Sequence, residues 1–474
     1  MSQMRTAVLN VVGLTDRCLG PHTPRITAHV HANRRLRIDP ALPAVTCTAQ
    51  STYLTGLPPG GHGAVANGWY DRQLAEVQFW KQSNRLIQGP RLWEVLKARN
   101  PGFTCAKLFW WYNMFSTADY SITPRPMYPA DGRKVFDIYS WPYSIRPAIK
   151  ADLGEFPFPG FWGPAAGKAS PAGGRDCATR WIAESAKWID TRHSPSLSLL
   201  YLPHLDYNLQ RLGPSHPDTA QDLREIDAIV GDLLDFFSKR GVQVVLLSEY
   251  GLVDANQPVH LNRAFREQGW LTVKEELGLE LLDAGASKAF AVADHQAAHV
   301  YVQDPGLRSK VHALLEQTTG VGRVLDRSAQ IEQGLHHDRS GDFLVFAAKG
   351  SWFTYYYWLD DARAPDFARC VDIHRKPGYD PAELFINPDI PLPKLRIAMK
   401  LLRKKLGFRM LMDLIPLDAR LVRGTHGARP EDPLDFPILC LPEKGESPLA
   451  PLSATDVFGH LVRVTESAGF IGPG

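Results

Sequence analysis

Residues 196–249 carry the pattern that most limits what this chain can fold into. The apolar run "SLSLLYL" (196–202) is followed by "DTAQDLREIDAIVGDLLDFFSKRG" and then by a second apolar run, "VQVVLLS" (242–248). In the middle segment Leu223, Ile226, Val230, Leu233 and Phe237 recur at steps of three and four, which places them on one face of a helix. Asp218 or Thr219 can cap its start, and Gly241 follows its end. Strand, helix, strand in this order is a βαβ unit, and parallel strands joined by a helix need a sheet covered on both faces.

Other runs of strand length, with little polar alternation, are "TAVLNVVG" (6–13), "AAHVYV" (297–302), "GDFLVFAA" (341–348) and "FPILCL" (436–441). They suit strands buried on both sides. The expected fold is therefore α/β, a doubly wound, mostly parallel sheet flanked by helices. Ligands of such sheets bind beyond the carboxyl ends of the strands. Asp206, after the first run, and Glu249, after the second, are expected on that edge.

Composition narrows the function classes. Lys and Arg total 53 against 50 Asp and Glu, a net charge of +3, which gives no reason to expect a nucleic acid polymer as partner. Six scattered cysteines without a C-x-x-C pair imply reduced thiols and a cytoplasmic setting. No apolar stretch is long enough for a membrane span, and the N-terminal run reads as a first buried strand rather than an export signal. A single domain over 1–474 is expected, with two inserted segments that cap the sheet. One is rich in aromatics, Pro and Gly (about 70–175), and the other is basic and aromatic (about 350–412). The second holds "KLRIAMKLLRKKLGFRM" (394–410), seven basic residues on an expected amphipathic helix. It reads as a solvated cationic face, with a membrane-surface or anionic-ligand site as the alternative.

The stretch "ALPAVTCTAQSTYLTGLPPGGHGAVANGWYD" (41–71) sets Thr46, Thr55-Gly56, His62-Gly63 and Asn67 between apolar residues. From the residues alone it is a helix cap and a glycine-rich turn, or a threonine nucleophile at a helix N-terminus with an asparagine to hold a phosphoryl oxygen. A helix N-terminus favours negative charge, and a hydroxyl becomes a useful nucleophile only when a base or metal activates it.

This spacing resembles the alkaline phosphatase superfamily, in particular its nucleotide pyrophosphatase/phosphodiesterase branch. "GTHG" (424–427) is similar to the last metal-binding histidine of that family, and "PLSATDVFGHLVRV" to its closing helix. The resemblance implies an alkaline-phosphatase-like core and a metal-dependent hydrolase of phosphoric esters acting on a small phosphorylated substrate. It implies Thr46 as nucleophile, a covalent phospho-threonine intermediate, and Asn67 steadying the phosphoryl oxygens. It also implies one or two divalent ions, zinc by resemblance, with manganese or magnesium as alternatives.

Among the implied metal ligands, Asp206 and His426 match the family pattern. Gln210 stands where a histidine four residues after the aspartate belongs, Glu249-Tyr250 replaces an adjacent Asp-His pair, and Val12 stands at the first-strand aspartate. Asn10, Asp294, His295 and His374 are candidate replacements. Arg375 and Lys376 offer positive charge for a phosphate, and Tyr250 a phenol. Trp110, Trp111 and Tyr112 either pack the core or stack on a leaving group. The alternatives are a catalytically degenerate binder or scaffold, and a phosphoryl transferase, sulfatase or phosphonatase.

Overall fold

The structure is a computed structural model that describes residues 5–467 apart from 132, 168–176, 446–447 and 449. The apolar runs form strands where expected. They are β1 (Arg5–Val11), β2 (Arg34–Asp39), β3 (Cys105–Leu108), β4 (Tyr120–Pro124), β5 (Ile138–Trp141), β6 (Leu197–Leu202) and β7 (Val242–Leu247). A second, four-stranded sheet holds β8 (Ala289–Asp294), β9 (Ala297–Val302), β10 (Val321–Leu325) and β11 (Phe343–Ala347). Two later strands, β12 (Ile438–Leu441) and β13 (Leu452–Ser453), return to the first sheet, whose order is β13-β2-β12-β7-β1-β6-β3-β4-β5.

Strands β7, β1, β6, β3 and β4 are parallel neighbours. The edges are mixed, since β12 runs antiparallel to β7 and β2, and β5 antiparallel to β4. Four helices matter for the site and the surface: α1 (Thr46–Thr55), α2 (His204–Leu212), α3 (Thr219–Lys239) and α4 (Pro393–Lys405). The helix read between β6 and β7 is α3, and Ile226, Val230, Leu233 and Phe237 are its buried stripe, with Leu223 packed at the edge of the core. Asp218 occupies its cap position without a side-chain hydrogen bond.

Three features depart from the sequence reading. "AAHVYV" and "FLVFA" belong to the second sheet, where β9 pairs antiparallel with β8 and β11. Both faces of these strands are buried, so they lack the alternation that marks most antiparallel strands. "ILCL" lies in the central sheet but runs antiparallel. The aromatic stretch at 70–175 does more than cover the sheet, because it supplies the three strands β3, β4 and β5.

Among the described residues, two large hydrophobic cores form beside two small clusters. One surrounds the central sheet, and the other surrounds the antiparallel sheet with Trp352, Tyr355, Tyr356, Tyr357 and Trp358. Helix α1 stands between them, with Tyr53 in the first core and Cys47 in the second.

Candidate active site

Every residue of α1 is buried, Thr46 being its first. Val45 takes the cap position and has no side chain able to cap, leaving the first-turn N–H groups to other partners. One partner comes from the glycine-rich turn. Gly56 ends α1 in the left-handed conformation (φ 70°), His62 Nδ1 accepts from the Ala64 N–H at 3.0 Å, and the chain returns to the start of the helix. There the Asn67 Oδ1 accepts the Cys47 N–H at 2.9 Å. The Thr-Gly and His-Gly spacings thus bring the asparagine beside the threonine. His62 itself is a buried structural group, its pKa driven down to about 3 by desolvation and then by His337 and Arg339.

Asn67 is held from the other side by the second sheet. Its backbone N–H donates to Asp294 Oδ2 at 2.8 Å, and its Nδ2 donates one hydrogen to Asp294 Oδ1 at 3.1 Å. Asp294 ends β8 and also pairs with His295 Nδ1 at 2.8 Å. Burial lifts its pKa to about 6 against the hydrogen bonds from Asn67.

The carboxyl ends of β6 and β7 bring the remaining groups, as the sheet topology requires. Thr46 Oγ1 lies 3.1 Å from Tyr250 Oη, which donates to Asp206 Oδ1 at 3.3 Å. Asp206 Oδ1 is 3.7 Å from His426 Nε2. The Tyr250 and His426 rings are stacked, with centroids 3.7 Å apart and planes 8° apart, and His295 lies against the same imidazole at 3.8 Å. Desolvation raises Asp206 to about 7, opposed by hydrogen bonds from Gln210 and Tyr250. It lowers His426, with the charge of His295 adding to the effect.

Glu249 is enclosed beside Thr46. Its Oε1 accepts from Asn10 Nδ2 at 2.5 Å and Gln50 Nε2 at 2.6 Å, while Oε2 is buried without a partner. Burial lifts this carboxyl to about 8, so it holds its proton at neutral pH.

The structure therefore brings together Thr46, Asn67, Asp206, Gln210, Glu249, Tyr250 and His426, with Asn10, Asp294 and His295 around them. Arg375 and Lys376 have other partners, which corrects the substrate-contact reading. Arg375 is paired with Asp366 at 2.8 Å on the surface. Lys376 is buried between Asp380 and Glu383, both at 2.7 Å. A Lys amine enclosed by two carboxylates is an internal ion pair and not a free charge for a ligand. His374 reaches the Phe79 carbonyl at 3.3 Å instead of the cluster.

The sequence reading missed Tyr379. Its ring stacks on His295 at 3.8 Å, and its hydroxyl donates to Gln210 Oε1 at 3.0 Å. The "KPGYDP" stretch held the signal, since a Pro-Gly turn followed by a tyrosine sits next to the charges that drew attention.

Asp206 and His426 are the two donors placed to share a divalent ion. His426 Nε2 is buried without a hydrogen-bond partner and faces the Asp206 carboxylate. Its Nδ1 is fixed at 2.7 Å from the Ala44 carbonyl, the orientation typical of a ligating histidine. At the second position Val12 has no donor, the Tyr250 phenol fills the space above His426, and Glu249 is occupied by the amides of Asn10 and Gln50. Gln210 Nε2 donates to Asp206 Oδ2 at 2.9 Å. Among the described residues, the one group of three His, Cys or acidic donors close enough to share an ion is His204, Asp222 and Glu225. That group lies elsewhere, because His204 and Asp206 are two positions apart on α2 and point to opposite faces.

A cavity of about 480 Å³ is lined by Trp80, Trp111, Trp162, Phe158 and Phe161 among others, and by no residue of the cluster. Trp80 connects the two, lying 6.1 Å from Tyr379. A larger cleft, about 1120 Å³, likewise touches none of Thr46, Asn67, Asp206 or His426, though Leu209 and Gln296, next in sequence to Gln210 and His295, line it.

Comparison with known proteins places the chain in a family. A model of the family described as type I phosphodiesterase / nucleotide pyrophosphatase matches residues 6–380. Among curated proteins the chain is similar to an uncharacterized pyrophosphatase/phosphodiesterase of Schizosaccharomyces pombe, 22% identical over 237 residues, which are 48% of this chain and 40% of that protein. The chain thus spans less than half the length of that relative. Among solved structures it is similar to murine ectonucleotide pyrophosphatase/phosphodiesterase 5, in an inactive form in complex with AMP (TM-score 0.57, 12% identity, covering 99% of this chain and 97% of the other). Phosphonoacetate hydrolase from Sinorhizobium meliloti, in complex with phosphonoformate, is similar to the same degree (TM-score 0.58, 14% identity, covering 98% and 96%). At these identities the likeness is one of fold.

Proposed function

Since the chain belongs to the type I phosphodiesterase/nucleotide pyrophosphatase family, we propose that it hydrolyses small phosphoric esters of the phosphodiester or pyrophosphate type, with Thr46 as nucleophile. The observation that carries this reading is the placement of the Thr46 hydroxyl at the first turn of a buried helix, with Asn67 beside it and Tyr250 and Asp206 behind it. The Tyr250–Asp206 chain draws the Thr46 proton to one side and leaves an oxygen lone pair for in-line attack on phosphorus. Asn67 has a second amide hydrogen for a non-bridging oxygen, and the helix N-terminus favours the charge gathering there. The bond from Thr46 Oγ1 to phosphorus forms as the bond to the leaving alcohol or phosphate breaks, and water then cleaves the covalent phospho-threonine, restoring the hydroxyl and releasing the phosphomonoester.

One divalent cation would be held by Asp206 and His426. Zinc is the ion the family resemblance implies, with manganese or magnesium as alternatives, and it would supply Lewis-acid polarisation of the phosphoryl group. The filled second position favours a second reading, a phosphate-binding relative that has lost turnover.

Hydrolysis of bis-p-nitrophenyl phosphate and of p-nitrophenyl phosphate, by metal-stripped protein resupplied with Zn, Mn or Mg, separates these readings. Thr46→Ala is expected to lower the rate by about a thousandfold or more. Equal rates in parent and Thr46→Ala would remove the nucleophile. Absence of turnover together with saturable AMP binding would establish the binder.

A further inference from the structure

Helix α4 is amphipathic in an unusual sense, because its apolar face points outward. None of its residues is buried. Leu395, Met399, Leu402 and Leu406 recur at steps of four, three and four, and are 53, 53, 57 and 65% exposed. This spacing aligns them as one stripe along the helix. The opposite face is turned toward the protein, where Arg396 Nη2 donates to Asp413 Oδ2 at 2.9 Å and Lys400 Nζ to the Leu411 carbonyl at 2.6 Å. Phe408, just past the helix, adds a further exposed apolar side chain at 61%.

Asp413 pairs with Arg396 and Lys400 on the inward side, and the charges of the helix segment itself are all basic. Lys394, Arg396, Lys400, Arg403, Lys404, Lys405 and Arg409 all fall within 394–410, which holds no acidic residue. Lys394 and Lys405 flank the stripe on one side and Arg403 on the other, as the 100° turn per residue dictates. Exposed leucines on a water-facing helix raise the free energy of the isolated protein unless something covers them. Among the described residues nothing does.

We propose that α4 docks the protein on an anionic lipid surface, lying flat with Leu395, Met399, Leu402 and Leu406 in the acyl boundary and its basic side chains reaching the headgroups. An apolar stripe bordered by cations is the pattern that such surfaces bind. A second copy of the chain is disfavoured, since a symmetric pairing of this face sets Lys394, Arg403 and Lys405 against the same three cations. The inference is independent of turnover at Thr46.

The test uses the full chain in cosedimentation with vesicles of phosphatidylcholine, with and without about one-third phosphatidylglycerol. The parent is expected to pellet with the anionic vesicles and to bind neutral ones roughly tenfold more weakly. Leu395→Ser/Met399→Ser/Leu402→Ser and Arg403→Gln/Lys404→Gln/Lys405→Gln should each weaken anionic binding about tenfold or more. These side chains are exposed, and unchanged circular dichroism would verify that the variants fold. Three results would overturn the proposal: recovery of the parent free of vesicles; binding of the serine variant equal to the parent's, which would mean simple polyanion attraction; or sedimentation of the parent as a dimer that the serine variant dissolves, with no vesicle binding.

Discussion

Glu249 illustrates how burial alone can reassign a side chain. The sequence marks it as a carboxylate at a strand end, where a metal ligand is expected, yet two amide donors on one oxygen do not offset the loss of water around it. Its pKa rises on folding from the ordinary range to about 8. Between the two values the folded protein keeps a proton that the unfolded chain releases, so this group's contribution to stability falls as pH rises from the ordinary glutamate range through about 8. Glu249→Gln resembles the protonated acid in shape, so at pH 4, below the ordinary glutamate range, its unfolding free energy should match the parent within about 1 kcal/mol. At pH 9 it should exceed the parent. Denaturant melts at the two pH values check this, and a variant that loses stability equally at both would mean that the carboxyl is charged when folded. Thr46 and Asn67 were legible because their spacing is local and depends on turns. The pairing of Lys376 with Asp380 and Glu383 was not, because charge in a sequence carries no record of its partner.

Elements fix the geometry that single residues use. The strand Gly424–Thr425 passes so close to α2 that a Cβ on Gly424 would run into the Leu209 carbonyl. This contact sets how far His426 lies from Asp206, one on each element. Gly424→Ala must push the strand away, and overpacking of this kind typically destabilises by about 1–3 kcal/mol. Thermal denaturation should register that loss, and the hydrolysis rate per folded molecule should fall with it. A variant with a lower melting temperature and full activity would mean that the spacing is not critical. At this scale the βαβ unit and the buried stripe of α3 followed directly from periodicity. The second sheet did not, because strands buried on both faces look alike in sequence whether their neighbours run parallel or antiparallel.

The whole molecule places its chemistry at the seam between two cores. Thr46, Asp206 and Glu249 come from the central sheet and its helices, whereas Asp294 and His295 come from the antiparallel sheet. No local motif encodes that meeting, so the sequence could name Asp294 and His295 only as candidates. The aromatic side of the seam also has a spectroscopic meaning. Trp80 lies 4.7 Å from Trp111 and 4.9 Å from Trp162, and it reaches His295 through Tyr379. Indoles this close share their excitation, so the protein carries an optical probe near the candidate site. Near-ultraviolet circular dichroism and tryptophan emission should change when inorganic phosphate or AMP binds, and Trp80→Phe should abolish most of that change while the remaining tryptophans still emit. Occupancy could then be followed in real time without a label, even for an ester that the protein binds but does not cleave.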